Sequence, residues 1–166
     1  MAWTTPKTDW AESNLVTETH LNDIGSNLAE LKAPPSANYE LDETSDYTTT
    51  SSSFVDIDDE ELSLTIDTTG GDIMVGFIGS FNSSGDNHNF LELDLDGSAV
   101  AGDDGICKWR DRNEKTGFVY LITGVSATSH IIKLQWKRDA GTLTLYAGAG
   151  TSDADVHPQF WAREVS

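Results

Sequence analysis

The sequence predicts an all-β sandwich with a short helical arm at its N-terminal end. From Phe54 onward, short runs of alternating apolar and polar residues recur at regular intervals, separated by turn-forming residues. The chain of 166 residues is 37% hydrophobic and contains five Trp and six Phe, enough apolar material for one domain with a core. Its 14 Gly, together with many Ser and Thr, fit a β domain with tight turns.

One helix is predicted, at about residues 17–32. Thr17 or Thr19 can cap its start, and Pro34-Pro35 ends it. Its apolar stripe spans only about two heptads, which is too short for a free-standing coiled coil. We therefore expect the stripe to pack on its own domain, on neighbouring copies or on a docking partner. The residues of this predicted oligomerisation or docking stripe are Leu21, Ile24, Leu28 and Leu31.

The chain divides into three predicted parts. Residues 1–35 form the arm, which carries the helix. Residues 36–53 are rich in Ser, Thr and acidic residues and are interpreted as a linker or lead-in. Residues 54–166 form the β domain.

About eight strands are predicted in the β domain, with the spacing of a sandwich or jelly roll. The run at 72–81 is apolar enough to be a central strand, the run at 118–125 is predicted to be another buried strand, and Asp96-Gly97 predicts a tight hairpin turn. Ala140-Gly141 is interpreted as the turn of a second hairpin. The predicted strands lie at 54–57, 62–67, 72–81, 90–97, 118–125, 130–138, 143–148 and 157–165.

The closing strand carries apolar side chains on both of its faces. Phe160 and Ala162 point one way, and Trp161 and Val165 point the other. A strand that needs cover on both faces belongs in a sandwich that is itself packed against something else. We infer that sister subunits supply the second cover, and that Trp161 and Val165 lie at an oligomer interface.

The formal charge of −18 is unevenly distributed. Residues 36–104 hold 17 Asp and Glu and no Lys or Arg. A field of this sign repels phosphate backbones and anionic membrane surfaces, so no nucleic-acid partner is expected. The longest apolar run, at 118–122, is far shorter than the roughly 20 residues of a membrane span, so no membrane insertion is expected. The N-terminus lacks a signal-peptide pattern, and Cys107 is alone, which predicts synthesis in the cytoplasm without an internal disulfide.

A basic cluster stands out in this acidic chain. It can be neutralised within its own subunit, or it can form a belt between subunits that makes oligomerisation sensitive to salt. The cluster consists of Lys108, Arg110, Arg112 and Lys115.

The best metal candidate is the segment from Glu92 to Asp103. Its carboxylates at positions 1, 3, 5 and 12, with Gly97 at position 6, echo a calcium loop. However, position 1 is Glu and position 12 is Asp. The segment also alternates like a strand, which predicts that its Leu residues face inward and that Glu92, Asp94 and Asp96 face outward into solvent. His88, His130 and His157 do not have zinc-site spacing, and no nucleophile or phosphate-loop motif is found. We therefore expect no enzymatic activity, catalytic residue, cofactor or metal.

Two parts of the sequence resemble proteins of tailed-phage virions. GGDIMVGFIGSF, a strand ending in Asp-Gly, SHIIKLQWKRDAGTLTL and HPQFWAREV together resemble their small jelly-roll domains, which are similar to the tumour-necrosis-factor/C1q fold. The opening TDWAESNLVTETHLNDIGSNL is similar to the start of many phage structural proteins. The resemblance implies a homotrimer with closing strands around a threefold axis, located in the virion with other virion proteins as partners. It implies no catalytic residues.

Three functions follow as expectations. The first is a non-enzymatic virion structural protein, either a head decoration or a tail or fibre component. The alternative is a carbohydrate-binding adhesin tip or module on the same fold, with a host-surface glycan as partner and Trp109 as the best sugar-stacking candidate. A third, a hydrolase on this fold, would rest only on pairs of acidic residues.

Overall fold

The computed structural model describes residues 16–32, 34–41, 43, 45–110, 112–148 and 157–165. These residues form one helix and two antiparallel six-stranded sheets, so the chain is mostly β as predicted. In chain order the elements are α1 (Glu18–Lys32), β1 (Ser36–Glu40), β2 (Tyr47–Thr49), β3 (Val55–Asp56), β4 (Ser63–Asp67), β5 (Gly71–Ser83), β6 (Asn89–Leu95), β7 (Ser98–Ala99), β8 (Cys107–Trp109), β9 (Asn113–Val125), β10 (Ser129–Arg138), β11 (Leu143–Leu145) and β12 (Gln159–Glu164).

The first sheet is built around β5, the Gly-rich strand that the sequence places at the centre. β9 pairs along one edge of β5 from Gly71 to Asn82. β12 and β11 therefore share the other edge end to end, and β1 and β2 extend them outward. The opposite edge of β9 has no strand partner among the described residues.

The second sheet is built around β10 and β6, which pair with each other over the length of β6. β4 and β3 share the outer edge of β10, and β7 and β8 share the outer edge of β6. Asp96 and Gly97 form the two-residue turn between β6 and β7, with φ values of 53° and 84°. Positive φ at both turn positions is what a tight hairpin of this type requires, so the predicted turn is confirmed.

The core lies between the two sheets and is supplied by the inward-facing residues of the long strands. Alternation decides which residues these are, because successive side chains of a strand point to opposite faces. Burying each large apolar side chain contributes about 1.5 to 3 kcal/mol to folding. Fully or nearly fully buried members include Ile73, Val75, Phe81, Leu91, Leu93, Ile132, Leu134, Trp136, Leu143, Leu145 and Phe160.

The helix begins where the sequence places a cap. Thr17 Oγ1 accepts a hydrogen bond from the His20 backbone N–H at 3.4 Å, and Thr17 N–H donates to His20 Nδ1 at 3.3 Å. This reciprocal pair satisfies two backbone N–H groups at the helix start. Within the described part of the chain, no helix is both long and apolar enough to cross a bilayer.

The interpretation of residues 36–53 as a linker or lead-in needs correction, because part of this segment belongs to the first sheet. β1 pairs with β12, β2 pairs with β11, and Leu41 is fully buried. The outer edge of β12 offers backbone donors and acceptors, and β1 pairs with them. The sequence of residues 36–53 does not reveal that this edge is available.

The predicted hairpin around Ala140-Gly141 is also wrong, since β10 lies in the second sheet and β11 in the first. The connection crosses from one sheet to the other, with Gly141 at a φ of 79°. Alternating residues reveal that one face of a strand is buried, but they do not reveal which sheet contains the strand.

Candidate functional site

The outward side of the first sheet presents an apolar surface to solvent. Cross-strand pairing places Trp161, Gly76 and Val119 in one row, and Arg163, Met74 and Leu121 in the next. Val119 is 65% exposed and Leu121 is 48% exposed. Contiguous exposed apolar surface on a folded domain marks a contact site more often than chance. We call this surface the apolar face; its members are Met74, Ile78, Val119, Leu121 and Trp161.

Trp161 lies flat over Gly76 at the centre of the apolar face. A Cβ built on Gly76 would fall 2.3 Å from Trp161 Cε2 and Cζ2. Because Gly76 has no side chain, the indole ring of Trp161 packs directly on the backbone at this position, and the ring is half-buried against the sheet. This packing gives the subunit a large, preorganised aromatic surface, the type of side chain that most often anchors protein interfaces.

Acidic residues are nearly absent from this side of the sheet. Among the described strand residues of the first sheet, Glu40 and Asp72 are the acidic ones that are not turned inward, and both lie at the margin. Lys115 and Arg163 lie on the same side. In a chain with 28 Asp and Glu, this distribution separates the apolar face from the rest of the surface. It lowers the local like-charge repulsion at this face, although two copies with a net charge of −18 each still repel one another.

β9 borders the apolar face with a long edge that pairs with no other described strand. It has 13 residues and includes the uninterrupted apolar run from Phe118 to Ile122. Exposed, long and apolar edge strands are sites of unwanted pairing, and proteins normally cover, charge or shorten them. This run is predicted from the sequence to be a buried strand. The structure corrects that prediction in part, because Val119 and Leu121 are exposed in the single chain.

The predicted oligomerisation residues are found on two surfaces. Trp161 is part of the apolar face, and Val165, 43% exposed, follows β12 on the same side. Leu21, Ile24 and Leu28 form an exposed stripe on α1. The side chain of Leu31 lies outside the described residues, as does the part of the arm at 1–15. The structure does not bring the helix stripe and the apolar face together within one chain, and their roles stay predictions.

Trp109, the predicted sugar-stacking residue, packs against the core. Its ring centroid is 5.0 Å from that of Phe81, and its Nε1 is buried. Cross-strand pairing sets it beside Asn89 on the inward side of the second sheet. This placement favours a core role over the predicted glycan contact.

The carboxylates of the calcium-like segment serve backbone groups instead of converging on one point. Glu92, predicted to face outward into solvent, is fully buried, and its carboxylate accepts the N–H groups of Leu93 and Ala101. Asp94 Oδ1 accepts the Gly97 N–H at 2.8 Å. Within the described ranges, no group of three His, Cys, Asp or Glu side chains is placed to hold a metal ion.

A groove on the outer side of the second sheet is lined by three acidic residues, Asp56, Asp94 and Asp96, and each accepts a hydrogen bond from a specific partner. Asp56 accepts hydrogen bonds from Lys133 Nζ at 2.7 Å and from Gln135 Nε2 at 2.8 Å. Burial opposes the charged carboxylate, but the hydrogen bonds from Lys133 and Gln135 outweigh it and lower the pKa of Asp56. Asp96 is engaged by His130. These contacts hold neighbouring strands and turns together, so the carboxylates of Asp56 and Asp96 have a structural role.

The predicted basic cluster is only partly neutralised within the described chain. Arg110 Nε lies 3.2 Å from Asp86 Oδ1, and both side chains are well exposed. Lys108 lies over the ring of Phe90, at 4.9 Å from its centroid. Lys115 lies on the same side of the first sheet as the apolar face. The intersubunit alternative therefore remains open for Lys115.

The close contact between Gly76 and Trp161 gives a first prediction. Gly76→Ala will displace the indole, because the new Cβ cannot lie 2.3 Å from ring atoms. We expect the fold to survive, since Trp161 can swing toward solvent. If subunits associate through the apolar face, the displaced anchor will weaken that association about 30-fold, equivalent to a loss of about 2 kcal/mol. Sedimentation equilibrium measures the change. Gly25→Ala in α1 is the control for glycine replacement, because nothing lies within 4 Å of its built Cβ and its backbone does not have a positive φ.

Comparison of the chain with protein-family models and with curated proteins finds no match.

Proposed function

We propose that this chain is a non-enzymatic structural protein of a phage virion, a head decoration or a tail or fibre component, and that it works as a symmetric homotrimer. The apolar face forms the contact between subunits. The N-terminal arm docks the trimer to other virion proteins.

The apolar face carries this proposal. It combines a half-buried aromatic anchor, exposed branched side chains and a near absence of acidic residues among the described strand residues of the first sheet. An interface of ordinary size buries on the order of 1,600 Å² per pair of subunits. Covering the face would also protect the unpaired edge of β9, which otherwise invites uncontrolled pairing.

The strand order supports the jelly-roll part of the proposal. In the first sheet, β1, β12, β5 and β9 are neighbours; in the second, β4, β10, β6 and β8 are neighbours. The long strands β5, β6, β9 and β10 alternate between the two sheets, as expected when two Greek keys are rolled into a sandwich. The threefold symmetry rests on the resemblance of the sequence to TNF/C1q-like phage domains.

The charge distribution fits a component of a crowded assembly. Among the described strand residues of the first sheet, the acidic side chains on the side of the apolar face are Glu40 and Asp72 at its margin, although the formal charge of the chain is −18. A strong net charge of one sign makes the acidic surfaces of two subunits repel each other. The apolar face has few acidic residues, so two subunits can approach each other there with less repulsion.

Light scattering coupled to size exclusion tests the proposal. A subunit has a mass of 18.0 kDa, and we expect a species of three times this mass at micromolar concentration. A monomer under these conditions, with the arm intact, would overturn the proposal. Copurification with particles tests the virion role: a variant without residues 1–35 should still form the trimer but no longer join particles.

Salt distinguishes the two driving forces. If burial of the apolar face drives assembly against self-repulsion, association will hold or strengthen as NaCl rises from 50 to about 500 mM, because screening weakens the repulsion. If the basic cluster forms an intersubunit belt, association will weaken over the same range.

A further inference from the structure

His130 is buried at one end of the sandwich, and each of its ring nitrogens faces an acceptor. Nδ1 lies 2.6 Å from Asp96 Oδ2, and Nε2 lies 3.0 Å from the carbonyl oxygen of Ser126. The side chain is only 6% exposed. Asp96 belongs to the β6–β7 turn, and Ser126 to the connection between β9 and β10. The imidazole therefore joins two turns that are far apart in sequence.

Only the doubly protonated ring satisfies both contacts. In neutral imidazole one nitrogen donates and the other accepts. If Nδ1 keeps its proton, the lone pair of Nε2 faces the Ser126 carbonyl. If Nε2 keeps it, the lone pair of Nδ1 faces the Asp96 carboxylate. The Ser126 hydroxyl, at 3.5 Å from Nε2, is at the limit of hydrogen-bond distance. Loss of one proton thus breaks one of the two links.

Other groups fix the surroundings of this pair. Asp96 Oδ1 accepts the Ile131 N–H at 2.8 Å, which holds the carboxylate in place. Thr68 Oγ1 donates to the Ser126 carbonyl at 2.6 Å, and Asp72 Oδ1 accepts the Gly124 N–H at 3.0 Å. From β4, Ile66 lies opposite His130. Further charged groups at this end are Asp67 on β4 and Glu164 on β12, whose carboxylate accepts the Thr69 N–H.

We propose that His130 is a proton-operated clasp, which fastens the 126–128 connection to the β6–β7 turn when the ring is charged and releases Ser126 when the ring is neutral. The connection directly follows β9. If the proposed trimer is correct, release of the clasp will also loosen the end of the apolar face; that consequence rests on the proposed function, whereas the clasp itself does not.

The direction of the pH effect follows from the two partners. Burial disfavours the charged imidazole, but the hydrogen bonds to Asp96 and to the Ser126 carbonyl outweigh it and raise the pKa of His130. The Ile131 N–H and the His130 ring lower the pKa of Asp96. The stabilisation by His130 is therefore complete below an ordinary His pKa of about 6.5 and is lost as pH rises through the folded value. The stabilisation by Asp96 is complete above about pH 4 and is lost as pH falls through its lowered value.

NMR titration of the histidine ring protons, with amide hydrogen exchange, tests the clasp. We expect His130 to titrate above about 6.5 and the amides of 126–129 to exchange faster on the alkaline side of its midpoint. Thermal melts should show a fall of about 2 to 4 °C across the same range. His130→Gln should lack this step, while His88→Gln, which alters a more exposed histidine paired with Asp139, should keep it.

Asp96→Asn provides a second readout if the His130 variant does not fold, because loss of the carboxylate should move the midpoint of His130 to lower pH. A His130 midpoint at or below about 6.5, or equal melting profiles for wild type and His130→Gln, would overturn the clasp. The titration can be repeated on Val119→Asp. A step that persists in a monomeric subunit supports the clasp whether or not the trimer proposal holds.

Discussion

A subunit with Val119→Asp is expected to be a well-folded monomer under conditions in which the wild type forms the proposed trimer. Val119 is 65% exposed in the single chain, so the new carboxylate faces water there and changes stability by no more than about 0.5 kcal/mol. In the assembled protein the same carboxylate would be buried beside Gly76 and Trp161 without a counter-charge. An unpaired buried charge costs about 3 kcal/mol or more, which lowers association at least about 100-fold per contact.

Light scattering on the variant, with circular dichroism melts, measures mass and stability together. Val55→Asp is the matched control, because it makes the same substitution at a 40% exposed valine on β3 of the second sheet. The control should keep the mass of the wild type. A Val119→Asp protein that stays trimeric, or a Val55→Asp protein that dissociates equally, would remove the apolar face as the contact between subunits.

Part of the apolar face can be predicted from the sequence of the closing strand, β12. Apolar groups on both of its faces predict that Phe160 and Ala162 point to the core while Trp161 points away, and the structure confirms that division. The same logic applies to the run from Phe118 to Ile122, which is apolar at every position. The prediction of a buried strand is wrong for one face of this run. β9 has apolar side chains on both faces and lies at the edge of its sheet, so Val119 and Leu121 are exposed in the single chain.

Long-range pairing is the part that the sequence does not reveal. Residues 36–53 lack a strong alternating pattern, and their strands form because β12 and β11 offer free edges more than 90 residues away. Glu92 has the position of an outward strand residue, but the segment that follows β7 brings the Ala101 N–H to its carboxylate. In both cases the deciding partner is distant or irregular, and local periodicity does not report it.

The segment between β7 and β8 gives the prediction with the largest effect on folding. Gly105→Ala is expected to destabilise the protein by about 2 to 5 kcal/mol, because a left-handed backbone conformation and a close contact act together. Gly105 has a φ of 64°, and a Cβ built on it would lie 2.2 Å from the Leu91 carbonyl oxygen. That oxygen belongs to β6 and accepts the Ile106 N–H, so it cannot move without breaking the pairing of β8. Urea unfolding measures the loss.

Gly102→Ala separates the two causes. Gly102 also has a positive φ, of 87°, but nothing lies within 4 Å of its built Cβ. It should therefore show only the conformational part, about 1 to 2 kcal/mol. The difference between the two variants then reports how closely the 100–106 segment is packed on β6. Equal losses would mean that the segment can move away from Leu91 to admit the new methyl group.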